Sequence, residues 1–160
     1  MQEWEELLAR AEGGDRTAQV RLADCYAQGR GVERSPVQAA AWFRKSAEQG
    51  CSEGWFGLAI CYFSGAGTQQ NDRTAADLCR CAAEQGHVKA MIRLGACCLE
   101  GRGMARDLGA AEDWLCRAVK TGDAQGWKDK LDRTQALRLL AEAFYARYTA
   151  GETKSQTEER

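Results

Sequence analysis

The sequence has little of what many common functions require: one histidine, no long apolar run and no excess of either charge. Its 160 residues carry 22 basic and 23 acidic side chains, a formal net charge of −1. Balanced charge argues against a nucleic-acid partner, which usually leaves a basic footprint, and against a polybasic membrane contact. No apolar run approaches the roughly 20 residues of a membrane span. The start, MQEWEELLAR, is acidic and amphipathic and does not fit a secretory signal, so we expect a cytosolic protein.

Catalytic groups are scarce as well. The single histidine, His87, has no recognisable triad partners, and we expect it to be an exposed residue without a role. No segment alternates apolar and polar residues with period two, so we expect no sheet. The sequence therefore predicts neither an enzyme nor a bound cofactor.

What the sequence does have is self-similarity with a period of 36 residues. The same residue type returns at this step in the sets Cys25, Cys61, Cys97; Gly29, Gly65, Gly101; Gly31, Gly67, Gly103; Gly50, Gly86, Gly122; Leu22, Leu58, Leu94; and Ala39, Ala75, Ala111. Three copies follow one another without a gap, at 15–50, 51–86 and 87–122. Repeats of this length are typical of stacked supersecondary units.

Each copy contains two predicted helices. The first ends at the Gly-x-Gly pair, where glycine tolerates positive φ, and the second begins after Ser35, Asn71 or Asp107, all favoured N-cap residues. Pro36 then takes the first helical position, where its missing N–H is not needed. A short hairpin cannot bury its apolar faces alone, but stacked hairpins can. We therefore predict an all-α solenoid of three helix-turn-helix repeats.

Capping helices are expected at both ends, in residues 1–14 and 123–150, which makes 1–150 a single domain. The second cap carries one apolar stripe that should pack against the repeats: Leu137, Leu140, Ala141, Phe144, Tyr145 and Tyr148. The remaining segment, 151–160, is polar, and we expect it to be disordered.

The units YAQGRGVERSPVQAAAWFRKSAEQG and LGACCLEGRGMARDLGAAEDWLCRAV resemble the Sel-one-like repeat (SLR) family, a relative of the tetratricopeptide repeats. The shared features are L-x3-Y or L-x3-C, G-x-G, A-x2-W and A-E-Q-G, over roughly residues 5–127. The resemblance implies a right-handed superhelix whose first helices line a concave surface, and an adaptor or scaffold role without catalysis.

The eight cysteines admit two interpretations. Cys25, Cys61 and Cys97 share one position on the predicted core face, and packed helices lie about 8–10 Å apart, too far for a disulfide between them. Cys51, Cys81 and Cys116 are expected to be more exposed. We interpret the set as packing residues, with a thiol-dependent metal or redox function as the weaker alternative, since paired C-x2-C spacing is missing.

The stretch GWFGLAICYFSGAG has two apolar faces. One belongs to the core; the other is the outward face of the first helices, which the resemblance places on the concave surface. We predict that a partner groove there contains Phe56, Ile60, Phe63, Ile92, Leu99 and Val20, with Asp24, Glu53 and Lys89 as its polar rim. Burial between neighbouring helices, or by the C-terminal helix, is the alternative.

The sequence thus predicts a non-catalytic module that binds a partner peptide, helix or protein. An immunity protein that neutralises a toxic enzyme by plugging it is a second hypothesis. Self-association is a third use of the same groove, because a second copy could cover an apolar concave face.

Overall fold

The computed structural model describes the backbone of residues 2–158 and the side chains of residues 3–151. In that part of the chain the backbone forms α-helices joined by short turns, with no strand. The helices are α1 (Gln2–Glu12), α2 (Arg16–Gln28), α3 (Pro36–Glu48), α4 (Ser52–Ser64), α5 (Asp72–Glu84), α6 (Val88–Glu100), α7 (Leu108–Gln125) and α8 (Lys130–Glu158). The predicted absence of a sheet therefore holds for residues 2–158.

The second helix of each copy begins where the sequence predicts. The side-chain oxygens of Ser35, Asn71 and Asp107 accept a hydrogen bond from the amide three residues later, at 3.4, 3.0 and 2.9 Å. Each of these bonds satisfies one of the free N–H groups at a helix start. Pro36 occupies the first turn of α3, as expected.

The first helix of each copy ends at a left-handed glycine. Gly29, Gly65 and Gly101 have φ of 69°, 71° and 70°, a conformation that strains any residue with a Cβ atom. The repeated Gly-x-Gly pair is therefore a helix stop that turns the chain back into the second helix.

The helices form two compact units, of which Met1–His87 is the first. In this unit, α1 packs on α2, α2 on α3, α3 on α4 and α4 on α5, and α2 also touches α4. The repeat leucines Leu22 and Leu58 are buried, together with Trp42 and Phe43 of α3. Close packing at one point requires glycine, because a Cβ on Gly57 would lie 2.3 Å from the Phe43 ring.

The second unit, Val88–Arg160, contains α6, α7 and α8. Here α6 packs on α7, and α8 packs on both. Leu94 of α6 and Leu115 of α7 are fully buried, and a Cβ on Gly95 would lie 2.6 Å from Leu115 Cγ. The second unit therefore packs like the first, with a buried repeat leucine and a helix glycine in close contact with a side chain of a neighbouring helix.

The C-terminal capping helix exists, but the predicted packing stripe is wrong. The side of α8 that is buried consists of Ala136, Leu139 and Ala143, whereas the larger Phe144 and Tyr148 are exposed. Small side chains allow α8 to approach its neighbours closely, and the bulky apolar ones are left on the outside. The helix continues through residues 151–158, which the sequence predicts to be disordered; residues 159–160 lie outside the described part.

Candidate functional site

The second apolar face of α4 is largely covered within the chain. Phe63 is buried at 7% exposure, so its side chain offers no surface to a partner. Phe56 and Ile60 are half-buried. Of the three predicted groove residues on this helix, only Phe56 and Ile60 keep accessible surface.

His87 has a structural role that the sequence analysis did not foresee. Its ring stacks on the ring of Phe56, with centroids 4.8 Å apart and planes inclined by 29°. The residue is half-buried rather than fully exposed. His87 therefore covers part of the apolar surface that was expected to be open.

On α2, the predicted groove residues Val20 and Asp24 are both half-buried. Burial raises the pKa of the Asp24 carboxyl above its usual value of 3.8, and the positive charge of Arg30 opposes this shift. Burial removes water from the Asp24 carboxylate without giving it a strong partner. The carboxylate is therefore available to accept a hydrogen bond on this face.

The remaining predicted site residues lie in the second unit. Ile92 is buried at 3% exposure, and Leu99 is half-buried. Lys89 pairs with Asp132 of α8, Nζ to Oδ2 3.8 Å. Ile92 is therefore buried rather than part of an open groove, and the lysine predicted as a groove rim already contacts a carboxylate.

A cavity of about 290 Å³ opens at the first turns of α2 and α4 in the first unit. It contains two residues of the predicted groove, Val20 and Glu53. Its complete lining is Arg16, Thr17, Val20, Arg21, Gly50, Cys51, Ser52, Glu53 and Gln85. The size is at the lower end of the range for small-ligand sites, about 300–1,000 Å³, and suits one or two side chains of a bound peptide.

The cavity has an uneven charge distribution. Arg16 and Arg21 are exposed, and among the described residues neither pairs with a carboxylate. The Glu53 carboxylate, in contrast, accepts hydrogen bonds from its own N–H, from Cys51 Sγ at 3.3 Å and from Ser52 Oγ at 3.0 Å. These bonds hold the pKa of Glu53 below its usual 4.5, against the opposing effect of burial. The unpaired charge in the cavity is thus positive, and two helix N-termini add to it.

Arg16 and Arg21 are not among the residues predicted from the sequence, because the outward face of α2 was interpreted through its apolar residues. A signal was present for Arg16, which is replaced by Ser52 and Val88 at the 36-residue step. Arg21 is replaced by Gly57 in the second copy but returns as Arg93 in the third, so its position gives no such signal.

The cysteines contain no disulfide within the described part of the chain, and most of them are buried. Cys51 is buried, contrary to expectation, while Cys81 is exposed as predicted and Cys116 is half-buried. Burial raises the pKa of the Cys97 thiol to about 11 and also raises that of Cys61. Both therefore stay protonated and unreactive at neutral pH. In the described residues, no three His, Cys, Asp or Glu side chains cluster in a way that could hold a metal ion.

Comparison with known proteins agrees with this repeat architecture. Residues 17–51, 55–87 and 88–123 each match the Sel1 repeat. The chain belongs to the Sel1 repeat family. The resemblance drawn from the sequence is confirmed, and with it the α-solenoid fold class. Proteins built from Sel1 repeats are generally protein–protein interaction modules.

Two solved structures show the same fold. A Sel1 repeat protein from Oxalobacter formigenes is 35% identical over 69% of this chain, with a TM-score of 0.65. A protective antigen of uropathogenic Escherichia coli with an SLR fold is 25% identical over 88% of this chain, with a TM-score of 0.71. The chain spans only 44% and 33% of the lengths of these two proteins. Among curated proteins, none matches this chain.

Within the residues that the structure describes, no α-helix is both long and apolar enough to cross a bilayer.

Proposed function

We propose that this Sel1 repeat protein is a non-catalytic adaptor that binds an acidic peptide segment of a partner protein along α2 and α4. The observation that carries the proposal is the cavity at the first turns of these helices, with its two unpaired arginines. A partner carboxylate could form charge-assisted hydrogen bonds with Arg16 and Arg21, which are stronger than neutral ones. Val20 in the same lining offers apolar contact to the neighbouring side chain of the peptide.

The path of such a peptide follows from the placement of the two helices. Both begin at the cavity, and they contact one another. The next residues on the same faces are Asp24 of α2 and Phe56 and Ile60 of α4, which remain half-buried. An amphipathic or extended segment could therefore place its acid in the cavity and its apolar residues along this face.

The alternative of an immunity protein would be favoured by a charged groove rim or by a strongly basic toxic partner. A cavity whose unpaired charges are two arginines favours an acidic group instead. We therefore retain the peptide-binding adaptor as the better supported function.

The test is a selection from a displayed peptide library, followed by affinity measurements on the purified chain. Selected peptides should carry Asp, Glu or a free C-terminal carboxylate beside an apolar residue. The variant Arg21→Glu should weaken their binding by roughly tenfold or more, and the loss should shrink at high salt. Arg80→Glu, at an exposed arginine of α5, is the matched control and should bind normally. Selected peptides without acids, or equal binding by Arg21→Glu, would contradict the proposal.

The variant Asp24→Asn tests how burial of the Asp24 carboxyl affects the stability of the fold. Ionisation of Asp24 is disfavoured in the fold, so the stability associated with its neutral form is fully present below pH 3.8 and is lost as the pH rises through the raised pKa. The variant should therefore melt at a higher temperature than the wild type at neutral pH and at the same temperature below pH 3.8. A lower melting temperature at neutral pH would show that the carboxylate has a stabilising partner.

A further inference from the structure

The outer side of α8 carries a continuous apolar surface that no part of the described chain covers. It consists of Leu137, Ala141, Phe144, Tyr145 and Tyr148, which we call the α8 stripe. The large members are exposed to 42%, 53%, 72% and 67% in chain order. At about 100° per residue these positions share an arc of about 100° on the helix surface. Isolated exposed apolar residues are common, but a contiguous stripe of this kind usually marks an interaction site.

The stripe faces away from the rest of its unit. The opposite side of α8 is buried through Ala136, Leu139 and Ala143. Arg147, between the two sides, donates to the buried carboxylate of Glu112 on α7, Nη1 to Oε2 2.6 Å. These contacts set the rotation of the helix, so α8 cannot turn its aromatic side inward without breaking them.

Residues 151–160 contain nothing suited to packing against the α8 stripe. Their sequence, GETKSQTEER, contains no large apolar side chain. The available area, however, is suited to self-association. Aromatic side chains bury about 150–250 Å² each, so at these exposures the stripe offers on the order of 500 Å² per copy. Two copies would hide on the order of 1,000 Å², the lower limit of a specific interface.

We propose that a second copy of this chain covers the α8 stripe, with the two α8 helices packed antiparallel about a two-fold axis near Ala141. A two-fold interface uses the same patch on both copies, and a stripe on a single straight helix can meet its own copy in this way. The small side chain of Ala141 lies at the centre, where the two helices approach most closely. Leu137 of each copy then lies against Phe144 and Tyr145 of the other.

The charges beside the stripe favour the antiparallel direction. Arg138 and Glu142 lie on one flank, exposed to 66% and 55%, with Nε and Oε1 3.8 Å apart. In an antiparallel pair this flank meets the same flank of the second copy, so that Arg138 of each copy lies beside Glu142 of the other. A parallel pair would instead bring Arg138 toward Arg133 of the second copy, which is repulsive.

The decisive experiment uses two charge-reversed variants, Arg138→Glu and Glu142→Arg, studied separately and mixed. Sedimentation equilibrium on the wild type should show a monomer–dimer equilibrium in the micromolar range. Each variant alone places like charges at both contacts and should dimerise roughly tenfold or more weakly. An equimolar mixture should recover wild-type association, because both contacts between the two variants then join opposite charges.

Two further variants control for unspecific effects. Phe144→Asp should abolish the dimer while the circular dichroism spectrum stays helical. Val37→Asp, at an apolar residue of α3 that is also largely exposed, should leave dimerisation unchanged. The proposal fails if the wild type is monomeric throughout the micromolar range, even if α8 then captures a different protein. It also fails if the dimer tolerates Phe144→Asp, or if the mixed charge variants associate no better than each alone.

Discussion

Helices α4 and α8 share an apolar pattern but differ in the helices that pack against them. Each carries apolar side chains on two sides of the helix, although the buried side of α8 is mostly alanine. On α4 the second side is mostly hidden, with Phe63 buried and Phe56 stacked against His87. On α8 the second side is open, and Phe144 and Tyr148 face solvent. The same kind of sequence pattern therefore produces core in one case and surface in the other.

The difference follows from the number of neighbours. Helix α4 packs against three helices, α2, α3 and α5, whereas α8 packs against two, α6 and α7. No other helix of its unit covers the apolar outer side of α8 in the described residues, and this makes that side informative about binding.

The largest expected effect is the contrast between Phe63 and Phe144. Phe63→Ala removes a buried ring and should lower the free energy of unfolding by about 3 kcal/mol or more. Phe144→Ala removes an exposed ring and should change it by less than about 0.5 kcal/mol. Urea denaturation of the dilute, monomeric protein measures both. A large loss for Phe144→Ala under those conditions would mean that α8 packs through its aromatic side after all.

A smaller effect is expected at the ion pair that holds α8. Glu112 is buried, one of its carboxylate oxygens has no hydrogen-bond partner among the described residues, and Arg147 satisfies the other. Arg147→Met would leave the carboxylate without compensation and should lower stability by about 2 kcal/mol.

The matched control for that variant is the double change Glu112→Ala, Arg147→Met. The equivalent residues of the other two copies are Ala40 and Ala76, both buried, so alanine suits this position. The double variant should recover most of the lost stability in thermal unfolding. If it is as unstable as the single variant, the loss does not come from an uncompensated Glu112 carboxylate.

Most of the fold could be predicted because the same helix-start and helix-end signals occur in all three copies of the repeat. Three copies give three independent observations of each N-cap and each left-handed glycine, and Ser35, Asn71 and Asp107 all cap as expected. The rotation of α8 could not be predicted in this way, because it lies outside the repeat. Choosing the larger apolar residues as its packing side was reasonable and wrong: the small side of the helix makes the close contact.

The candidate site was predicted only in part. Val20 and Glu53 do line a cavity, but a helical wheel cannot report whether an outward position is covered by another element, as Ile92 and Phe63 are. The cavity itself depends on where two helix ends meet, and Arg16 in its lining has no basic counterpart in the other two copies. Whether an outward residue is buried depends on the neighbouring helices, so it can be determined only from the structure.

The smallest expected effect compares helical glycines on the same two helices. A Cβ on Gly57 of α4 would lie 2.3 Å from the buried Phe43 ring, whereas a Cβ on Gly151 of α8 would meet nothing within 4 Å. Alanine is favoured over glycine in a helix by about 1 kcal/mol, and overpacking a core costs about 1–3 kcal/mol. Gly57→Ala should therefore lower stability by about 1 kcal/mol net.

Gly151→Ala, in contrast, adds helix propensity without a clash and should raise stability by up to about 1 kcal/mol. Opposite shifts in the urea midpoint, with unchanged slopes, would establish that α4 is enclosed and the outer part of α8 is not. If Gly57→Ala is stabilising as well, the Phe43 ring can move aside, and α4 is less tightly enclosed than its burial indicates. The two helices would then differ in solvent exposure but not in how tightly their neighbours pack against them.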